Sequence, residues 1–146
     1  MITKPLLSLG IALLLPTMLW AGQESLAGLV KQEQANSDNE AVSVYGGKVG
    51  PAAAIFFLEW SGTGNPVEGR YYLPARGKNM IYVLKGTNPR SGVLELEVFT
   101  ANADGTLVPH ARCKLKKRIS GDRIVWEGEK FYPNGRSLPI SFSRAK

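Results

Sequence analysis

The sequence predicts an all-β fold, an antiparallel up-and-down meander of about eight strands that forms a barrel or a folded sheet. Three observations lead to this fold class. From Ala41 onward, short apolar runs recur along the chain. Clusters of Gly, Pro, Asn and Asp separate these runs, as in antiparallel strands joined by turns. Helical periodicity is absent over any long window in this part of the chain.

The strands are predicted where apolar runs alternate with turn sequences. They cover residues 41–45, 52–60, 67–73, 80–85, 92–100, 110–117, 123–130 and 138–143. Connections such as Ala103-Asp104-Gly105 and Pro133-Asn134-Gly135 are typical of hairpin turns. Residues 46–50, Gly-Gly-Lys-Val-Gly, are interpreted as a tight turn between two strands. They lack the GK[ST] ending of a phosphate-binding loop, so they do not predict nucleotide binding. Closing such a meander removes exposed strand edges.

Residues 1–21 have the layout of a secretory signal peptide, with Lys4 before an apolar stretch and the small residue Ala21 before polar sequence. A helix that spans a membrane needs about 20 apolar residues, and Pro16 interrupts this stretch. Cleavage is expected after Ala21, with a second candidate position after Ala27. The mature protein is therefore expected in the periplasm or outside the cell, with no stable membrane insertion after cleavage.

Two further segments follow the predicted leader. Residues 22–40 are polar and charged, and they predict a flexible or short helical N-terminal arm. Residues 41–146 predict a single β domain. Hydrophobic residues make up 44% and charged residues 21% of the chain, which is close to the average for globular proteins. One hydrophobic core is sufficient for a chain of this length.

Alternation along strand 110–117 assigns its two faces. Ala111, Cys113 and Leu115 share one apolar face. Cys113 is the only cysteine, so no internal disulfide can form, and its position predicts an ordinary buried residue. The opposite face carries a row of basic side chains: His110, Arg112, Lys114, Lys116 and Arg118.

Some of these cations have acidic neighbours in the predicted sheet. A hairpin through residues 103–105 places Glu97 near Arg112 and Glu95 near Lys114, which stabilises paired strands. The other cations of this region lack such local partners and are predicted to bind an anionic partner: Lys116, Lys117, Arg118 and Arg123. A second contact surface is predicted around the turn at residues 76–79: Arg70, Tyr72 and Arg76.

The charge of the chain also favours an anionic partner. The formal net charge is +6, from 18 basic and 12 acidic residues, and removal of Lys4 with the leader leaves +5. A basic surface attracts nucleic acid, anionic envelope components or an acidic protein. Export from the cytoplasm argues against nucleic acid. A protein or an anionic envelope component is therefore the expected partner, and the oligomeric state is not predicted.

Catalytic and metal-binding patterns are absent from the sequence. Triads and most metal sites need histidine, and His110 is the only one. The carboxylate pairs Glu95/Glu97 and Glu127/Glu129 are same-face neighbours on strands, and they are interpreted as solvated faces beside basic ones. The protein is therefore expected not to be an enzyme and to bind no metal or cofactor.

Glycine and aromatic motifs recur through the β part of the chain. They are residues 45–50 (YGGKVG), 55–58 (IFFL), 68–72 (EGRYY), 82–86 (YVLKG), 94–97 (LELE), 124–128 (IVWEG) and 138–142 (LPISF). Through them the chain resembles small exported bacterial β-meander proteins of unknown function, which are similar in outline to avidin-like and lipocalin-like barrels. The resemblance implies an architecture and no chemistry.

Two functions from different classes fit these expectations. The first is an exported, non-catalytic binding module that recognises another macromolecule, such as a periplasmic inhibitor or immunity protein. The alternative is a calycin-like carrier of a small hydrophobic ligand. A barrel of eight strands is wide enough either to be filled by side chains or to hold one small ligand. The two functions therefore differ in whether the interior is filled.

Overall fold

The computed structural model describes residues 22–37 and 42–144. Within these ranges, eight antiparallel strands follow one another in chain order, and the first and last strands pair to form a closed barrel. The predicted all-β meander is thus confirmed, and it closes completely. The predicted signal peptide lies outside the described residues.

A helix, α1 (Gly22–Asn36), precedes the barrel and is the form that this part of the N-terminal arm takes. The strands are β1 (Val42–Val49), β2 (Ala52–Trp60), β3 (Pro66–Tyr72), β4 (Ile81–Thr87), β5 (Val93–Ala101), β6 (Leu107–Ser120), β7 (Arg123–Phe131) and β8 (Ser137–Ser143). A short 3-10 helix, Pro74–Arg76, lies between β3 and β4. None of the helices in the described part of the chain is long and apolar enough to span a membrane.

The glycine-rich segment at residues 46–50 is largely strand, and its prediction as a turn was wrong. Gly47 pairs with Ala54 on one side and with Phe142 on the other, at the seam where β1 meets β8. A Cβ atom on Gly47 would overlap the backbone of β8, so the close approach of the strands requires glycine. The turn itself is confined to Gly50 and Pro51, with Gly50 at a φ of 59°.

A β-bulge changes the expected position of His110. Val98 pairs with Ala111 while the next residue, Phe99, pairs with Pro109, so His110 is the extra residue on β6. The His110 ring lies 5.2 Å from the ring of Tyr82, a buried residue. The expectation that His110 lies in the outward basic row was therefore wrong, because a bulge breaks strict alternation.

Side chains fill the interior of the barrel. The inward residues of all eight strands form one continuous cluster of buried side chains. Phe56 is fully buried, and its ring centroid lies 4.8 Å from that of Phe142 and 5.0 Å from that of Tyr71. Cys113 belongs to the same cluster and is buried, as its strand position predicted. Burial of each large apolar side chain stabilises the fold by about 1.5–3 kcal/mol.

A second, smaller core lies outside the barrel, beneath helix α1. The buried outward residues of β1 to β3 are Val44, Ile55, Phe57 and Tyr72. Leu26, Leu29 and Val30 of the helix pack against them. The run Ala-Ala-Ala-Ile-Phe-Phe-Leu in β2 is apolar on both faces, so its outward face also requires cover.

Candidate functional site

The hairpin of β6 and β7 extends beyond the rest of the barrel. Pairing between β5 and β6 ends at Val93 and Lys116, and pairing between β7 and β8 ends at Val125 and Ser143. Among the described residues, residues 118–124 therefore have strand partners only within the hairpin. We call this segment the hairpin tip. Because connections alternate between the two ends of an up-and-down barrel, the β2–β3 and β4–β5 turns lie at the same end.

Two isoleucines are exposed on the hairpin tip. Ile119 is 72% exposed and Ile124 is 45% exposed. They are directly opposite each other across the two strands, so they share one face of the hairpin. Alternation places Trp126 on that face too, which continues the inward surface of the barrel. The two isoleucines form a contiguous exposed apolar patch at the end of the hairpin.

Cations lie on the face of the hairpin opposite this apolar pair. Lys116 and Arg123 are exposed and alternate with the isoleucines, so they lie on the opposite face of the hairpin. Arg118 also lies there, but both its Nε and its Nη2 donate to the carboxylate of Glu127. The carboxylate raises the pKa of Arg118, and the guanidinium lowers the pKa of Glu127. The expectation that Arg118 lacks a local partner was therefore wrong.

Between the inward face of the hairpin and the opposite rim lies a cleft of about 640 Å³. We call it the hairpin cleft. Its volume is within the range of small-molecule sites, which is about 300–1,000 Å³. Its main lining side chains are Tyr45, Trp60, Lys117, Ile124, Trp126 and Arg144.

Two tryptophans form the floor of the hairpin cleft. The rings of Trp60 and Trp126 are stacked, with centroids 5.8 Å apart and planes 24° apart. Trp60 Nε1 donates a hydrogen bond of 2.8 Å to the hydroxyl oxygen of Tyr45, which orients its ring. Stacked aromatic rings at the mouth of a packed barrel give a rigid apolar surface.

The rim of the hairpin cleft is positively charged. Lys117 and Arg144 line it, together with one acidic residue, Asp122. Arg144 Nη1 donates a hydrogen bond of 3.1 Å to Ser43 Oγ. Among the described residues Lys117 forms no ion pair, so its ammonium group is available to a ligand. The arrangement suits an apolar group that carries an anion.

One residue of the second predicted contact surface is buried. Tyr72 is only 4% exposed, and its hydroxyl donates a hydrogen bond of 2.9 Å to Glu33 Oε2 of helix α1. The prediction of Tyr72 as a contact residue was wrong, because the helix covers this face. The guanidinium carbon of Arg70 lies 4.2 Å from the centroid of Phe57. Arg76 is exposed on the 3-10 helix, at the end of the barrel opposite the hairpin cleft.

Sequence reasoning missed most of the hairpin cleft. It selected Lys117 but not Trp60, Trp126 or Arg144, because strand tryptophans are usually core residues. One signal was available, since Lys117 continues the apolar alternation of Cys113 and Leu115. A charge on the inward face indicates that the face has reached solvent. Within the described residues, no three acidic, histidine or cysteine side chains are grouped to hold a metal ion.

Comparisons of the chain with protein-family models, with curated proteins and with solved structures give no match. The hairpin tip and the hairpin cleft are therefore interpreted from their own geometry. Both lie at one end of the barrel and share Ile124.

Proposed function

We propose that the protein is an exported, non-catalytic binding module that recognises another protein through the hairpin tip. The observation that carries this proposal is the exposed pair Ile119 and Ile124 on a hairpin that extends beyond the barrel. Protein interfaces combine an apolar centre with a polar or charged rim. On the hairpin, the exposed Lys117 lies on the same face as the isoleucines, and the exposed Lys116 and Arg123 lie on the opposite face.

The charge of the tip supports an acidic partner. The exposed side chains of Lys116, Lys117 and Arg123, which lie on the two faces of the hairpin, form no ion pair among the described residues. Complementary charge accelerates association and suppresses incorrect partners. A periplasmic inhibitor or immunity protein, which binds one protein tightly through a small rigid surface, is the kind of module that fits this arrangement.

A carrier of a hydrophobic ligand receives less support. Phe56, Leu58, Leu84, Leu94 and Leu115 are fully buried inside the barrel, in the space that the ligand of a carrier would need. A lipocalin-like site depends on a hollow interior. The space at the barrel mouth is the open hairpin cleft.

The proposal is tested by affinity capture from envelope and culture fractions of the native host, with the purified protein as bait. Wild-type bait is expected to retain one acidic protein at equal stoichiometry. Ile119→Asp is expected to lose it, because a buried carboxylate is unfavourable in an apolar contact. Val108→Asp is the matched control, since Val108 is also exposed on β6 but lies away from the tip.

Capture by the wild type and the control, but not by the tip variant, supports the proposal. Retention should also weaken as salt is added, because salt screens exposed charges over about 10 Å at 0.1 M. The proposal fails if the wild-type bait retains no stoichiometric protein, or if Ile119→Asp retains the same protein equally well.

A further inference from the structure

We infer that the hairpin cleft is a binding site for a carboxylate that is carried next to an apolar group. This inference rests on the proposed function, and it names the chemistry that the surface would recognise in its partner. Among the described residues, the cleft combines a stacked tryptophan floor, an ammonium group without an ion pair and a guanidinium group with free donors. Each of these features selects one part of the ligand.

The floor selects an apolar group. The ring faces of Trp60 and Trp126 and the side chain of Ile124 all line the cleft. The indole N–H of Trp60 is already bonded to the hydroxyl oxygen of Tyr45. Trp60 therefore offers its ring and no free donor, so a ligand gains there by burying apolar surface.

Lys117 selects the anion. It is directly opposite Trp126 across the hairpin, and both residues line the cleft. Among the described residues it forms no ion pair. A carboxylate here would form a charge-assisted hydrogen bond beside apolar surface, where such bonds are stronger than in open solvent.

Arg144, which follows β8, adds directional donors to the lining of the cleft. A guanidinium group has five N–H donors. One bond from Arg144 goes to Ser43 Oγ, so other donors remain for a ligand. The planar group matches the geometry of a carboxylate better than that of a single hydroxyl or carbonyl oxygen.

The total charge of the lining favours one negative charge. Lys117 and Arg144 contribute two positive charges and Asp122 contributes one negative charge, which leaves a net +1. A carboxylate balances this charge, whereas a phosphate dianion would leave an excess of negative charge beside Asp122. The volume of about 640 Å³ is sufficient for an aromatic or short aliphatic group.

Two sources supply this chemistry. One is the chain terminus of a partner protein, where an apolar side chain is adjacent to a carboxylate. The other is a free acid with an alkyl tail. We therefore use N-acetyl-phenylalanine for the first source and decanoate for the second, each compared with its uncharged counterpart, N-acetyl-phenylalanine amide or decanol.

Binding is measured by calorimetry on the purified protein and by the fluorescence of the cleft tryptophans. At least one acid is expected to bind about tenfold more tightly than its uncharged counterpart, a difference of about 1.4 kcal/mol. Lys117→Met should abolish that preference. Lys114→Met is the matched control, because Lys114 is exposed on the outer face of the same strand. Arg144→Met is a second variant, at the end of the described chain.

Binding of N-acetyl-phenylalanine alone assigns the cleft to a partner's chain terminus, and binding of decanoate alone assigns it to a free acid. The inference is overturned if neither acid binds, if the uncharged compounds bind equally well, or if Lys117→Met and Lys114→Met behave alike. Protein capture without acid binding would leave the proposed function standing and remove this inference. Acid binding without protein capture would support this inference and remove the proposed function.

Discussion

The ammonium group of Lys130 lies inside the barrel and donates a hydrogen bond of 2.8 Å to the hydroxyl oxygen of Tyr71. Lys130 is 2% exposed and is the only buried charged side chain among the described residues. Its Nζ atom also lies 4.8 Å from the ring centroid of Tyr82 and 5.0 Å from that of Tyr132. No carboxylate of the described residues pairs with it, so the hydroxyl and the ring faces stabilise the cation.

Lys130 should make stability depend on pH. Burial lowers its pKa from 10.5 to about 8 in the folded protein. Between these values the unfolded chain binds more protons, so the contribution of Lys130 to stability rises with pH from about 8 upward. At pH 7 the buried charge of Lys130 therefore opposes folding, because the folded protein binds this proton less tightly than the unfolded chain does.

Replacing the Lys130 and Tyr71 pair by apolar residues tests whether the buried charge of Lys130 lowers stability near neutral pH. Lys130→Met combined with Tyr71→Phe should increase the free energy of unfolding at pH 7 by about 1–3 kcal/mol, and the increase should shrink by pH 9. Urea denaturation at both pH values measures it. The comparison stops at pH 9. Burial raises the pKa of Cys113 to about 12, so at higher pH the thiol ionises more readily in the unfolded chain, and the folded protein loses stability. An increase that is equal at pH 7 and pH 9 would contradict the assignment.

Cys113 should be unreactive in the folded protein. Its thiol is 2% exposed, and burial raises its pKa to about 12, so little thiolate forms at pH 8. A disulfide reagent such as DTNB is expected to react roughly 100-fold more slowly with the native protein than with the protein in guanidinium chloride. Rapid stoichiometric reaction of the native protein would show that the thiol is accessible.

Gly128→Ala should strongly destabilise the barrel. A Cβ atom at Gly128 would overlap the backbone carbonyl of Lys114, because β6 and β7 approach closely at this inward position. We expect a loss of about 3 kcal/mol in the free energy of unfolding, measured by urea denaturation. Gly28→Ala is the control, since Gly28 is exposed in helix α1 with open space around it. It should instead stabilise the protein by up to about 1 kcal/mol.

The two candidate cleavage positions leave different contacts on the barrel. Leu26 of helix α1 packs against the outer core of β1 to β3, and its side chain approaches Gly46. Cleavage after Ala21 retains this contact, whereas cleavage after Ala27 removes it. We therefore expect exported protein to begin at Gly22, which the intact mass of protein from a periplasmic fraction measures. A mass that corresponds to a start at Gly28 would contradict this.

Strand positions were predictable because they depend on local signals. The second strand was predicted at residues 52–60 and is found at Ala52–Trp60. The predicted pairing of Glu95 with Lys114 and of Glu97 with Arg112 is also confirmed. Alternation and turn residues determine these features within a single hairpin.

The bulge at His110 was not predictable in the same way. It depends on how β6 pairs with β5 on both sides of one extra residue, and alternation within a single strand does not encode that. Helix α1 covers Tyr72 through a contact between segments that are distant in the sequence. In this contact the hydroxyl of Tyr72 donates a hydrogen bond to Glu33.

The sequence by itself determined that the chain forms a β-meander and that basic residues concentrate between β5 and β8. Only the tertiary structure decided what those cations do. Barrel closure brings Trp60 and Arg144 beside Lys117 and Trp126, whereas Arg118, one residue further along, is neutralised by Glu127. Strand alternation sends neighbouring residues to opposite faces, and only the closed barrel determines what each face meets.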